Sequence, residues 1–360
     1  MGHNWIGILQ PKDASKPAQP GGCGTCHTAI SAKPNLPGKV NEADYKNIDC
    51  LVCHAPNYRR GVVKDGENLK FWAAGGVDVL KAAQSVQKPT NEMCLRCHAA
   101  TGGGPNHKHG VIPTKDSDVH VAKGMHCVDC HPTQKHKIGG GSDLKAQDLW
   151  DVKVDCTNCH KEQAIHKADA TGYINKHSSR IQCQTCHIPA AARDPKMPTI
   201  TARDWTKPVL NQQTGLYGPT NTPASNVKPE YRWWNRSMET PPEPVGDIKD
   251  PKSKITPWKR STYTVIADEE TGKPVFIKAG VYSVTGDPGA AAKKGAEDAK
   301  QAYSGKWKGM VETMVFSMNH QVAPKAEALK CNACHSPTGV MDFKKLGYSD
   351  EQVKSLTTNR

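Results

Sequence analysis

The stretch CGTCHTAI, residues 23–30, opens with Cys-x-x-Cys-His, and the reading of that pattern decides how the chain folds. One copy is compatible with a redox dithiol, half of a zinc site or a haem attachment point. The pattern returns along the chain. Seven copies occur: Cys23–Cys26–His27, Cys50–Cys53–His54, Cys94–Cys97–His98, Cys127–Cys130–His131, Cys156–Cys159–His160, Cys183–Cys186–His187 and Cys331–Cys334–His335. The chain has 14 cysteines, so these motifs use all of them.

The repetition discriminates among the chemistries. A four-cysteine zinc ribbon takes Cys-x-x-Cys pairs two at a time, and seven is odd. Zinc also has no need of a histidine after every second cysteine. A thioredoxin-like dithiol occurs once per βαβ domain, and structural disulfides need no histidine. Cys-x-x-Cys-His is the attachment pattern of c-type haem. Two thiols add to the porphyrin vinyls, and the adjacent histidine reaches the iron from the proximal side. The sequence therefore predicts seven covalent c-type haems.

The composition fits that expectation. Only 36% of the residues are apolar and 6% aromatic, while Gly (31) and Pro (26) are plentiful. That is lean for a chain of 360 residues. Large flat porphyrins replace the missing side-chain core, and double covalent attachment restrains the unfolded chain as cross-links do. The net charge of +13 would ordinarily point to nucleic acid or an anionic surface. Seven haems bring about 14 propionate charges, which nearly cancel it, so many Lys and Arg are expected to face propionates. No nucleic-acid motif or aromatic-basic interleaving is present. No stretch reaches the roughly 18 apolar residues of a membrane span.

The first residues, MGHNWIGILQ, lack the charged start and apolar run of a signal peptide. Haem of this type is attached outside the cytoplasm. The numbering is therefore expected to begin near a mature N-terminus, and the protein to work in the periplasm or outside the cell.

Six motifs begin at residues 23, 50, 94, 127, 156 and 183, close enough to leave room for short helices and loops alone. Residues 188–330 carry no motif. Within them, 207–258 is rich in Pro and polar residues with Trp233, Trp234 and Trp258, and reads as an extended wrap over the haem surface. TYTVIADEETGKPVFIK (262–278) reads as a hairpin about a Thr-Gly turn. GAAAKKGAEDAKQAY (289–303) reads as a helix. Ser349 and Gln352 form a capping box for a last helix over 350–356. The expected fold is a multihaem cytochrome c of short α-helices and loops wrapped around a haem array, with a minor β-hairpin and little regular core. Its parts are a six-haem array (1–187), a haem-free wrapping segment (188–330) and a seventh haem with a terminal helix (331–360), packed as one unit.

Sixteen histidines less the seven proximal ones leave His3, His107, His109, His120, His126, His136, His166, His177 and His320. Seven irons with two imidazoles each require seven of these, so the supply covers bis-His ligation throughout. Bis-His haems have no open site and pass electrons; a catalytic haem needs a free or weakly held distal position. The ligand count therefore carries the functional question.

Several stretches beyond the motifs carry a family likeness: NIDCLVCHAPNYRR (47–60), CQTCHIPA (183–190), GDIKDPKSKITPWK (246–259), YSGKWKGMVETMVFSMNHQV (303–322) and LKCNACHSPTGVMDFKKLGY (329–348). They resemble the octahaem tetrathionate-reductase type of multihaem cytochrome, a group related to hydroxylamine oxidoreductase and pentahaem nitrite reductase. The likeness runs from about residue 20 to 348. That group has eight haems where this chain has seven motifs, and the short segment before Cys23 implies that the group's N-terminal haem is the missing one. The haem on Cys23 and Cys26 would then align with the group's substrate-side haem. The resemblance also implies a lysine ligand after a Cys-Leu-Val-Cys-His-like motif. Here that stretch reads Tyr58-Arg59-Arg60, and arginine does not ligate iron.

Two functions follow. One is an electron conductor of mostly or wholly bis-His haems, serving redox partner proteins or an extracellular acceptor. In a further version His3 reaches the next subunit, and a head-to-tail contact without closure makes a filament of copies of the chain. The other is a reductase or oxidase of a small sulfur or nitrogen oxyanion such as tetrathionate, nitrite or hydroxylamine, acting at the Cys23/Cys26 haem. Arg59, Arg60 and Lys64 would then form an anion-attracting wall.

Overall fold

The computed structural model describes residues 46–358, except 47, 66–67, 74–76, 100–111, 135, 141–153, 162–164, 214 and 240–242. The chain divides into two compact units. One comprises residues 1–101 with 126–130, the other 102–125 with 131–360.

In the first unit the motif helices are short and begin at polar caps. α1 (Cys50–His54) starts where Asp49 accepts from the Leu51 amide at 3.1 Å. The Tyr58 hydroxyl donates to the same carboxylate at 2.9 Å. β1 (Arg60–Asp65) and β2 (Asn68–Ala73) pair antiparallel. α2 (Val79–Gln84) is capped by Asp78, and α3 (Asn91–His98) carries the third motif. α5 (Cys127–Cys130) belongs to this unit, its first amide donating to the Asn91 side chain at 2.8 Å. The apolar centre is small: Val52, Ala55, Tyr58 and Ala82.

The second unit holds α4 (Val119–Ala122), the β3–β4 ribbon (Thr133–Gln134 and Lys137–Ile138), a 3-10 turn at Cys156–Asn158, α6 (Tyr173–His177) and α7 (Cys183–His187). A five-stranded mixed sheet follows. β5 (Thr199–Asn211) pairs antiparallel with β6 (Leu216–Ala224) and parallel with β8 (Lys254–Asp268). β8 also pairs antiparallel with β7 (Glu230–Trp234) and β9 (Trp307–Ser317). α8 (Ala279–Thr285) and α9 (Pro288–Ala299) pack beside it, and α10 (Cys331–Cys334) and α11 (Asp350–Thr357) close the chain. No helix among the described residues is long and apolar enough to cross a membrane.

The sheet corrects the expected fold. The helices are short as anticipated, but β-structure is a major element and there is a regular core. Residues 207–258, expected as an extended wrap, contribute to strands β5, β6, β7 and β8, with Trp233 and Trp258 buried among them. Ile266, Val275, Ala292 and Ala296 pack as one cluster, and Tyr231, Trp233, Ile255, Met341, Phe343 and Leu346 as another.

The hairpin expected at 262–278 is a tight turn only. Asp268 accepts from the amides of Thr271 at 2.8 Å and Ser304 at 2.6 Å, and the outgoing chain makes one bridge, Ala267 to Pro274. Proline has no amide to extend a ladder, so β8 takes β9 as its long antiparallel neighbour. The helix expected at 289–303 forms as α9 over a shorter span, capped by Asp287 with Pro288 in its first turn. Gly295 sits where α9 meets the preceding segment: a Cβ there would lie 2.0 Å from the Phe276 carbonyl oxygen. The last helix forms as α11 with both capping-box bonds made.

Candidate functional site

Six of the seven motifs lie within the described residues. Cys23, Cys26 and His27 lie outside them, as do His3, His107 and His109. The twelve described cysteines are free thiols, as thioether attachment requires. Thiols of different motifs meet. Cys94 and Cys127 share a hydrogen bond in the first unit, and Cys156 and Cys183 share one in the second.

The proximal histidines are oriented from behind. The Nδ1 atoms of His54, His131 and His335 lie 2.9, 2.8 and 2.9 Å from the backbone carbonyl oxygens of Gln87, Gly139 and Leu356. A carbonyl only accepts, so each Nδ1 carries the proton and Nε2 is left free to accept or to bind a metal. Gly140 has φ +147°, and a Cβ there would press on the His131 ring at 3.3 Å. Glycine keeps that ring's back open.

Three pairs of imidazoles stand close together in the second unit, one edge-on, one tilted and one stacked, each joining a motif histidine to one from elsewhere in the chain. His160 and His120 have ring centroids 6.0 Å apart, His131 and His320 6.2 Å, and His335 and His177 6.0 Å. Metal–imidazole bonds are about 2 Å long. Two rings on opposite sides of one iron therefore have centroids about 6 Å apart once the ring radius is added. The spacing fits an iron between each pair. Among the described residues, no group of three or more His, Cys, Asp or Glu is gathered as a bare metal ion would need. Burial pushes His177 and His187 toward the neutral form that ligates metal. His166 is the foremost of the histidines acting electrostatically on His187, followed by His160 and His120.

The remaining candidates are less closely assembled. The His126 amide donates to Asp129 at 2.7 Å in the first unit. His136 sits at φ 62° beside the β3–β4 turn. Arg59 is exposed, and its guanidinium donates to the Tyr58 carbonyl at 3.3 Å; Arg60 and Lys64 lie on β1. Arg96, inside the third motif, reaches the carbonyls of Val52, Ala55, Pro56 and Tyr58, fixing the loop that leads to Arg59.

The residues that brace the motif segments leave little trace in the sequence. Asp49 and Asp155 each precede a motif cysteine and cap its first turn. The repeated Asp-Cys pair was the available signal. Asp118, Arg193 and Gln321 had none, because their partners lie far along the chain.

Known proteins give the class. Residues 218–338 match the family described as bacterial cytochrome c. The crystal structure of octaheme cytochrome c from Shewanella oneidensis is similar over 92% of this chain and 81% of its own length, with a TM-score of 0.70 and 28% identity. An uncharacterised protein of Archaeoglobus fulgidus is 30% identical over 167 residues. That match covers 39% of this chain and 56% of the relative, so the chain spans little more than half the length of that curated protein. Together with the motifs and the paired imidazoles, these likenesses support a multihaem c-type cytochrome. They likewise support covalently bound c-type haem.

Proposed function

We propose that this chain is a seven-haem electron conductor whose irons are held mostly or wholly by two histidines. The observation that carries the reading is the set of three imidazole pairs at about 6 Å, each matching a motif histidine with a partner counted in advance as a distal ligand. His120, His320 and His177 serve the haems of the fifth, fourth and seventh motifs. When bound, the haems supply one-electron chemistry. The chain's own work is to fix the axial ligands and to bring neighbouring attachment points together, as the Cys94–Cys127 and Cys156–Cys183 contacts do. Attachment chemistry puts the protein outside the cytoplasm, with a redox protein or an extracellular acceptor as partner.

Low-temperature electron paramagnetic resonance of the fully oxidised protein tests this. All-low-spin haem is expected. One stoichiometric high-spin haem would overturn full bis-His ligation and turn attention to oxyanion reduction at the Cys23/Cys26 haem.

A further inference from the structure

A buried polar knot lies behind two of the imidazole pairs, with Asp118 at its centre. Its side chain is 7% exposed. Oδ1 accepts from the amides of His120 at 2.9 Å and Val121 at 3.4 Å, capping α4. The same oxygen lies 3.3 Å from His120 Nδ1. Oδ2 accepts from the Val322 amide at 2.9 Å, and the Val119 amide donates to the Val322 carbonyl at 3.0 Å. One carboxylate thus holds the segment carrying His120 against the segment carrying His320. Gln321 is buried between them at φ 68°, and its side-chain oxygen accepts from the Arg193 amide at 3.3 Å. The Arg193 guanidinium donates to the Ser117 carbonyl at 2.6 Å. The Ala323 amide donates to the His187 carbonyl at 2.7 Å, tying the knot to the sixth motif.

The charge in this knot differs from that behind three of the motif rings. His54, His131 and His335 face neutral carbonyls, whereas His120 faces an anion. A carboxylate behind a ligating imidazole strengthens its donation to the metal. It therefore favours the ferric over the ferrous state and lowers the reduction potential of that haem.

We propose that Asp118 is a positioning residue that sets the potential of one haem, the one between His160 and His120, while holding a second distal ligand, His320, by its backbone alone. The inference rests on the axial-ligand reading given under Proposed function. Asparagine and serine both cap helices without a charge, so Asp118→Asn and Asp118→Ser separate charge from scaffolding, and either variant suffices if the other folds poorly.

The experiment is a redox titration of the intact holoprotein monitored by electron paramagnetic resonance, on wild type, both Asp118 variants and His120→Ala. His120→Ala is expected to convert one low-spin haem to high spin, which marks that haem's signal. In the Asp118 variants the same signal is expected to titrate at a higher potential, by about tenfold in the one-electron equilibrium constant, or about 59 mV. The other haems keep their potentials. If the marked haem does not move, or if all haems move together, Asp118 does not set its potential. If His120→Ala leaves every haem low-spin, His120 is not an axial ligand, and the underlying assignment fails independently of Asp118.

Discussion

Lys259 has no exposed surface, an uncommon place for an ammonium group. Its Nζ donates to Thr199 Oγ1 at 2.9 Å and to the Ile200 carbonyl at 3.1 Å, and lies 5.6 Å from the centre of the Phe316 ring. Burial, and after it the charge of Arg203, pushes its pKa down to about 7. In the unfolded chain the group titrates near 10.4. Between these values the unfolded state binds the proton and the folded state does not, so stability rises with pH across that window. The penalty of burying the charge is fully present below pH 7 and is gone above the unfolded pKa. Lys259→Met removes the proton linkage and keeps the volume. Wild type should therefore gain on the variant by up to about 1.4 kcal/mol per pH unit from pH 7 toward pH 10. Denaturant unfolding followed by tryptophan fluorescence at several pH values reads this difference directly. A difference independent of pH would mean that Lys259 stays charged in the folded protein.

At the scale of elements, α11 connects a local signal to a distant ligand. Ser349 accepts from the Gln352 amide at 3.3 Å, and the Gln352 side chain accepts from the Ser349 amide at 2.9 Å. The far end of the helix presents the Leu356 carbonyl to His335 Nδ1. Ser349→Ala should cost about 1 kcal/mol of stability. Because the helix end orients a proximal histidine, the variant should also broaden the resonance of the seventh-motif haem and leave the others sharp. A loss of stability with an unchanged spectrum would show that the His335 ring is held by other contacts, such as Phe343 stacked 5.8 Å away. This helix was legible in the sequence because a capping box lies within four residues. So was α9, through its alanine-rich run. The sheet was not legible. Its organising contacts, β5 with β8 and β8 with β9, join residues about 40 to 60 positions apart, and Pro274 disguised a turn as a hairpin. The site divides in the same way. The motif histidines are legible as candidate ligands from the motif itself, and the other candidates only from a count against the iron positions the motifs imply. The pairing of His160 with His120, or of His131 with His320, depends on tertiary placement, and so do the carbonyls and the carboxylate behind the rings.

Across the whole molecule the two kinds of structure depend on haem to different degrees. The sheet of the second unit has continuous ladders and a dry cluster of Ile266, Val275, Ala292 and Ala296. Helices α1, α3 and α5 are four to eight residues long, below the length at which an isolated helix holds in water. Among the described residues of the first unit, the buried apolar side chains around them are Val52, Ala55, Tyr58, Ala82 and Met93. Covalent porphyrin supplies what these segments lack, both as apolar surface and as restraint on the unfolded chain. It also supplies propionates against a polypeptide charge of +13, which without them repels itself. A chain produced without haem attachment should therefore be folded in part. Amide hydrogen exchange should find protection in β5, β8, β9 and α9 close to that of the holoprotein, and little protection in α1, α3 and α5. Equal protection in both sets would mean that the polypeptide alone shapes the attachment segments before haem arrives. Protection in neither would mean that the sheet's core, for all its regular pairing, depends on the haem array as fully as the motif helices do.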